Sequence, residues 1–425
     1  MIMEKTVVLI GGGGREHAIA AALRRSSKVG KIYAIPGNAG IRQVAECVEG
    51  DVMDFAFILE FCRKVKADYV FVSPDDPLAG GLADILTAEG IKAFGPVKDC
   101  AVIESSKVFS KNFMKKHNIP TADYEVFDDY SKALEYASGA DYPLVIKADG
   151  LALGKGVIIC RDYKSAEEAL KSIMLDKVFK DAGRRVVAEE YLTGHEVSLL
   201  IFCDGEHYKL MPSSQDYKKA FDGDKGLNTG GMGAVSPSPY FTEDVRHRVI
   251  KEIVEPTVRG LSEEGRIFKG VLYFGLMLTE KGPKVLEYNA RFGDPETQVI
   301  LPKLKTDLID IMEACISGTL NKTDIEWEEC AAVTVVAASD GYPGKVIKGI
   351  KIVIVPVVDT FIYHSGTVIR NNELLTNGGR VLSVCAKGRS IEQAREKAYE
   401  GIEGVYFAGM QYRHDIALFT EKEHV

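Results

Sequence analysis

A chain of 425 residues is too long for one ordinary hydrophobic core, so roughly three domains are expected. An apolar content of 46% with 27% charged residues is that of a soluble globular protein, and a formal charge of −8 argues against a general nucleic-acid binder. No apolar run is long enough to span a bilayer, and no positively charged leader precedes the first strand-like run, so neither a membrane segment nor a signal peptide is expected. The eight Cys are scattered without a Cys-x-x-Cys pair, which favours plain thiols in a reducing cytosol over a zinc site.

In chain order, residues 7–10 form an apolar run that predicts a strand, and residues 16–25 predict a helix. Between them, Gly11-Gly-Gly-Gly-Arg-Glu-His17 lets backbone N–H groups approach an anion at a helix N-terminus. A dinucleotide fingerprint would require a third Gly where Glu16 stands and an acid near the end of the second strand, at 31–35. That region instead runs into Pro36-Gly-Asn-Ala-Gly40, so an anion site is expected and NAD is not. A helix at 55–65 and a strand at 69–72 continue the alternation, which predicts a parallel, doubly wound sheet over residues 1–102. Its two Gly-rich loops then share one sheet edge, an arrangement suited to a phosphorylated sugar.

Asn118-Ile-Pro-Thr121 reads as a junction. Strands at 144–147 and 157–160 flank a Gly-rich turn, followed by a helix at 165–174 and a strand at 186–192. This is a small α+β unit, residues 121–192, inserted between larger pieces. The turn is not a Walker loop, because no helix beginning Gly-Lys-Ser/Thr follows. Its Gly150 and Gly156 backbone, with Lys147 and Lys155 at its ends, suits a flap over phosphates. The strand end Glu189-Glu190-Tyr-Leu192 offers backbone groups for a purine edge, with Glu196 beyond it as an acid for ribose hydroxyls.

Residues 103–120 and 193–327 make a larger mixed body. Within it, 213–236 is expected to be a long polar loop without secondary structure of its own, a feature more often functional than not. It carries Asp216 and the run Asn228-Thr229-Gly230-Gly231-Met232-Gly233-Ala234. A final β-rich mixed unit, 328–425, holds an apolar run at 333–338 and Asn377-Gly-Gly-Arg380 before a strand at 381–385. Taken singly, each of these loops also reads as a tight turn, a hairpin or a solvated strand end.

The most informative stretch is 285–295. Val285, Glu287 and Asn289 alternate, so a strand sends Glu287 and Asn289 to one face. A carboxylate and an amide oxygen are hard ligands suited to Mg²⁺, which usually shares its shell with phosphates. Arg291 follows with a planar fork that matches a carboxylate or phosphate, and Asp294 stands beside Pro295.

Together these motifs resemble the ATP-grasp ligases, and among them the phosphoribosylamine–glycine ligases of purine synthesis. Six matching stretches lie in the family's order along essentially the whole chain: 13–17, 36–40, 146–151, 228–234, 291–296 and 377–382. The resemblance implies an α/β and α+β multidomain protein: an N-terminal doubly wound domain, an ATP-grasp body with an inserted lid, and a C-terminal domain. It implies ligation of glycine to phosphoribosylamine through glycyl phosphate, with ATP as substrate and Mg²⁺ or Mn²⁺. Lys107 and Lys147 match lysines that hold ATP phosphates, 189–192 the adenine hinge, and Glu196 the ribose acid. Glu287 and Asn289 match the metal ligands, and Arg291 and Asp294 residues around glycine and the acyl phosphate. Gly13, Gly14, Arg15, Glu16 and His17, with Pro36, Gly37, Asn38 and Ala39, are expected around phosphoribosylamine. So are Asp216, 229–233 and Arg380. A monomer or weak homodimer in the cytoplasm is expected, with small-molecule partners and neither nucleic acid nor membrane. Rival readings are another ATP-grasp carboxylate–amine ligase or a non-catalytic nucleotide sensor.

Two departures from the family pattern stand out. Val72-Ser-Pro-Asp-Asp-Pro77 places Asp75 where the family has a longer acid. The strand before Glu287, read as Tyr273-Phe-Gly-Leu-Met277, lacks a second metal carboxylate.

Overall fold

The apolar runs at the N-terminus pair side by side in the computed structural model, which describes residues 4–151 and 156–419. Five parallel strands lie in the order Glu46–Cys47, Val29–Pro36, Lys5–Gly11, Tyr69–Val72, Lys92–Phe94. Alternation along the central strand accounts for the two covered faces. Val7 and Leu9 join one core with Ile19 and Leu23, whereas Val8 and Ile10 join the other with Ile58 and Leu82. Gly14–Arg24 is the first helix, so Arg15, Glu16 and His17 occupy its first turn.

The inserted unit is an antiparallel four-stranded sheet, ordered Tyr124–Phe127, Val186–Glu190, Leu144–Ala148, Val157–Cys160. The helices Tyr130–Ser138 and Tyr163–Leu170 cover it through small residues such as Ala133, Ala137, Ala166 and Ala169. The body carries a second antiparallel sheet, ordered Tyr208–Leu210, His195–Asp204, Lys269–Thr279, Gly282–Asn289. Its register sets Gly275 opposite Glu287 and Tyr273 opposite Asn289.

The expectation of a structureless loop at 213–236 is corrected. Lys219–Phe221 and Lys225–Asn228 form a hairpin, and Gln215–Asp216 pairs with Gly233–Ser236. Gly233–Ser236 then pairs with Ala331–Ser339, so the C-terminal sheet runs Gln215–Asp216, Gly233–Ser236, Ala331–Ser339, Arg380–Gly388, Thr360–His364. The physical reason is burial: Ala234 and Val235 are fully enclosed, and their ladder partners lie about a hundred residues downstream. The helix Ile391–Glu403 packs on this sheet through Ala394, Ala398 and Ile402. Among the described residues, no helix is long and apolar enough to cross a membrane.

Candidate active site

The helix Lys107–Lys116 begins at a Ser106 cap and faces the inserted unit. Asp149 ties the two together: its Oδ1 accepts from Ser106 Oγ (2.9 Å) and the Val108 N–H (2.8 Å), and Arg185 pairs with its other oxygen. Lys107 Nζ donates to the Gly150 carbonyl at 3.0 Å, and the Gly156 carbonyl accepts from the Ala148 N–H at 2.8 Å. Lys155, expected at the end of that turn, lies outside the described residues.

Lys147 donates to Glu189 Oε2 at 2.9 Å and to the Leu286 carbonyl at 3.2 Å. Glu189 is therefore not a free hinge acid. It is 2% exposed and is shared with Lys111, whose Nζ is also 2.9 Å away and also donates to Thr121 Oγ1. Burial pulls the Lys111 ammonium down to about 8, against the attraction of Glu189. Glu190 is exposed and pairs with Lys284. Leu192 packs with Ala122 and Met277 in a small apolar cluster that Leu286 borders. Glu196 pairs with Lys218 at 2.8 Å.

Glu287 is the electrostatic centre. Burial raises its carboxyl, but Lys218, Lys147, Lys107 and Arg291 outweigh this and hold it below the usual range. Lys107 is in turn lowered by burial and by Lys147, with Glu287 opposing. Asn289 Oδ1 accepts from Arg291 Nη2 at 3.1 Å. Among the described residues no cluster of three or more His, Cys, Asp or Glu could hold a metal by itself. An ionised carboxylate beside one amide oxygen, ringed by cations that attract phosphates, fits a divalent ion whose remaining ligands are phosphate and water. The register explains the missing second acid: the residue opposite Glu287 is Gly275, which has no side chain.

Arg291 is braced from below. Glu104 lies 2.9 Å from its Nη2 and also accepts the Ala290 N–H at 2.7 Å. Burial pushes the Glu104 carboxyl up to about 7, although Arg291 works against it. Asp75 starts a short helix, and its charge acts on both Glu104 and Arg291.

A cavity of about 580 Å³ opens at the sheet edge where the two Gly-rich loops meet. From the N-terminal domain it is lined by Gly12, Gly13, Arg15, Glu16, Gly37 and Asn38, with Pro36 beside them. Asp294 enters from the body, and Tyr342, Ser365, Thr367, Asn377 and Arg380 from the C-terminal unit. Arg380 and Asp294 pair at 3.2 Å. Burial raises the Asp294 carboxyl, but Arg380 and Arg15 bring it below its usual range. Asp294 thus sits on this cavity with Arg15, while Arg291 sits with Glu287 and Asn289.

Some expected cavity residues lie elsewhere. His17 and Ala39 are buried behind the lining, and Gly14 packs against Gln298 and Ser365. The 229–233 run touches the cavity through Arg380, which bonds the Gly230 carbonyl, while Met232 and Gly233 are buried. Asp216 is raised well above the carboxylate range by burial and by nearby Glu296. Glu296 itself accepts from Ser198 Oγ at 3.0 Å. Sequence reasoning missed Glu104, Lys111, Lys218, Glu296 and the cavity residues Tyr342, Ser365, Gly366 and Thr367, although it had Asn377 and Arg380. Lys111 had one signal, its spacing of four from Lys107 on a helix.

The body defines an ATP-grasp protein: residues 105–297 match the model for the phosphoribosylglycinamide synthetase ATP-grasp (A) domain. The biotin carboxylase domain of Hydrogenobacter thermophilus 2-oxoglutarate carboxylase, solved with MgADP, shares the fold with a TM-score of 0.76. It covers 96% of this chain and 92% of its own at 16% identity. The synthetase N-domain model matches residues 5–104 and the C-domain model 332–418. A phosphoribosylamine–glycine ligase from Caldanaerobacter subterraneus is 48% identical over 412 residues, covering 97% of this chain and 99% of its own. The crystal structure of a phosphoribosylamine–glycine ligase from Thermotoga maritima superposes with a TM-score of 0.85 at 35% identity, covering 97% of this chain and 100% of its own. The chain belongs to the phosphoribosylamine–glycine ligase family.

Proposed function

We propose that this chain joins glycine to 5-phospho-D-ribosylamine, releasing N1-(5-phospho-D-ribosyl)glycinamide, ADP and phosphate. Glycine's carboxylate is a poor electrophile, and phosphoryl transfer from ATP turns it into glycyl phosphate. The amine of phosphoribosylamine then attacks the acyl carbon and phosphate leaves. Carboxylate and γ-phosphate are both anions, so the transfer needs cations and alignment more than a protein base.

Lys107, Lys147 and Lys218 supply that positive field. Glu287 and Asn289 are the residues that would hold Mg²⁺, or Mn²⁺ in its place, and the bound ion adds charge neutralisation at the phosphates. Adenine is assigned to the 189–192 strand end, against the apolar cluster around Leu192, and ribose to Glu196. Arg291, braced by Glu104, orients the glycine carboxylate. Asp294 and Arg380 meet phosphoribosylamine in the Gly-loop cavity. The inserted unit works as a lid that keeps water from the acyl phosphate. A cytoplasmic enzyme acting on free small molecules suits this reading.

The reading rests on the Glu287 carboxyl, which Lys218, Lys147, Lys107 and Arg291, drawn from lid and body, hold below its usual range. The test is ADP release with each substrate withheld in turn. Release that requires both glycine and phosphoribosylamine supports the reading. Release with a different acid makes the chain another ATP-grasp ligase, and nucleotide binding without turnover makes it a sensor.

A further inference from the structure

Beside the Gly-loop cavity the N-terminal and C-terminal domains meet at the backbone of one residue, His364. His364 ends the strand Thr360–His364. Its backbone N–H donates to His17 Nδ1 at 2.8 Å, and its carbonyl accepts from Asn38 Nδ2 at 2.6 Å. Asn38 is itself fixed: Nδ2 also donates to the Gly12 carbonyl at 2.9 Å, and Oδ1 accepts the Gly40 and Ile41 N–H groups at 2.8 and 2.9 Å. The two histidines are buried, and His364 Nδ1 meets Thr367 Oγ1 at 3.1 Å. The His17 ring also stands edge-on to Tyr363, 5.6 Å between centroids.

The next three residues, Ser365, Gly366 and Thr367, line the cavity together with the Gly-rich loops. The motifs at 11–17 and 36–40 thus face the cavity on one side and grip the C-terminal domain on the other. Burial, with His364 adding to it, lowers the His17 imidazole to about 3, so Nδ1 keeps its lone pair for the His364 N–H at any working pH. A buried N–H that loses its acceptor is penalised enough to favour an undocked segment.

We propose that His17, together with Asn38, is a positioning residue that docks the 364–367 segment and so completes the wall of the cavity that binds phosphoribosylamine. This rests on the assignment of that cavity to phosphoribosylamine. His17 touches no substrate in this role. Its effect passes through a backbone amide of the C-terminal domain, and so falls on one of the three substrates.

The test compares KM for phosphoribosylamine, glycine and ATP, and kcat, in four variants of the full chain. His17→Leu raises KM for phosphoribosylamine on the order of tenfold and leaves KM for ATP within about twofold. His17→Asn, whose Oδ1 stands in for Nδ1 as acceptor, restores most of that loss. Gly40 does not line the cavity, but a Cβ there collides with the His17 and His364 rings, so Gly40→Ala gives the same selective rise. Arg380→Met probes the cavity directly and raises the same KM. The proposal is overturned if Arg380→Met raises that KM while His17→Leu and Gly40→Ala leave it unchanged. It is equally overturned if all three KM values rise together without rescue by His17→Asn. If Arg380→Met has no effect on phosphoribosylamine use, the cavity assignment falls and the docking role with it. Should His17→Leu fail to fold, Gly40→Ala and His17→Asn carry the comparison.

Discussion

Replacing Glu189 by Gln tests the least visible part of the proposed nucleotide site. Its carboxylate is 2% exposed and lies 2.9 Å from both Lys147 and Lys111. At an effective dielectric of about 20, each contact is worth roughly 6 kcal/mol of Coulomb attraction. Desolvation of three buried ions offsets most of this, and breaking such a pair by removing one partner costs about 3–5 kcal/mol. Lys111 limits the damage, because it already titrates at about 8 and sheds its proton near neutrality once Glu189 is gone. The expected loss is therefore about 3 kcal/mol of unfolding free energy at pH 7. Lys147 loses its anchor, so ATP affinity falls at least about tenfold. Chemical denaturation followed by circular dichroism measures the first, and titration calorimetry with ATP and Mg²⁺ the second. Adding Lys111→Met removes the buried amine left without its carboxylate partner, so the double variant regains stability over Glu189→Gln alone. A Glu189→Gln protein as stable as the wild type, with unchanged ATP affinity, would refute the argument.

Glu287→Gln lowers kcat by at least ~10²-fold in Mg²⁺, the loss expected for one electrostatic stabiliser; steady-state kinetics decide it, and wild-type turnover removes Glu287 from the ion site. The buried histidines set an acid limit. Burial lowers His17 and His364 from 6.5 to about 3 and about 4, so the unfolded chain takes up protons first. Their contribution is complete above pH 6.5 and is lost as pH falls through those values, and His17→Asn shows a shallower decline in pH-dependent denaturation. Gly231 has φ +108°, and a Cβ there stands 2.6 Å from Asp216 Oδ1 and collides with Pro295. Gly231→Ala therefore costs about 1–3 kcal/mol, read as a drop in denaturation midpoint.

The doubly wound domain was legible because each of its main strands is a short continuous apolar run that needs only its neighbours in sequence to make sense. Glu287 and Asn289 were legible for a similar reason, since alternation alone puts them on one face of a strand. Gly233–Ser236 was not, because its partner is Ala331–Ser339 and the polar run before it, with Lys218, Lys219, Asp222 and Asp224, masks a short buried strand. Glu104 and Glu296 were hidden differently. Nothing local marks a carboxylate that will be buried against Arg291 or Asp216, and only the folded chain brings them together. The motif that follows the Gly loop places His17 among the expected ligands, yet its helix turns it away from the cavity toward the C-terminal strand.

The sheet that takes Gln215–Asp216 and Gly233–Ser236 from the middle of the chain and three longer strands from its end has a consequence for anyone wishing to trim or recombine this protein. A polypeptide stopped at residue 328 would strip Gly233–Ser236 of its neighbour and leave Ala234 and Val235 facing water. The last hundred residues are stitched into the ligase body, and a graft between relatives must carry residues 213–236 along with them.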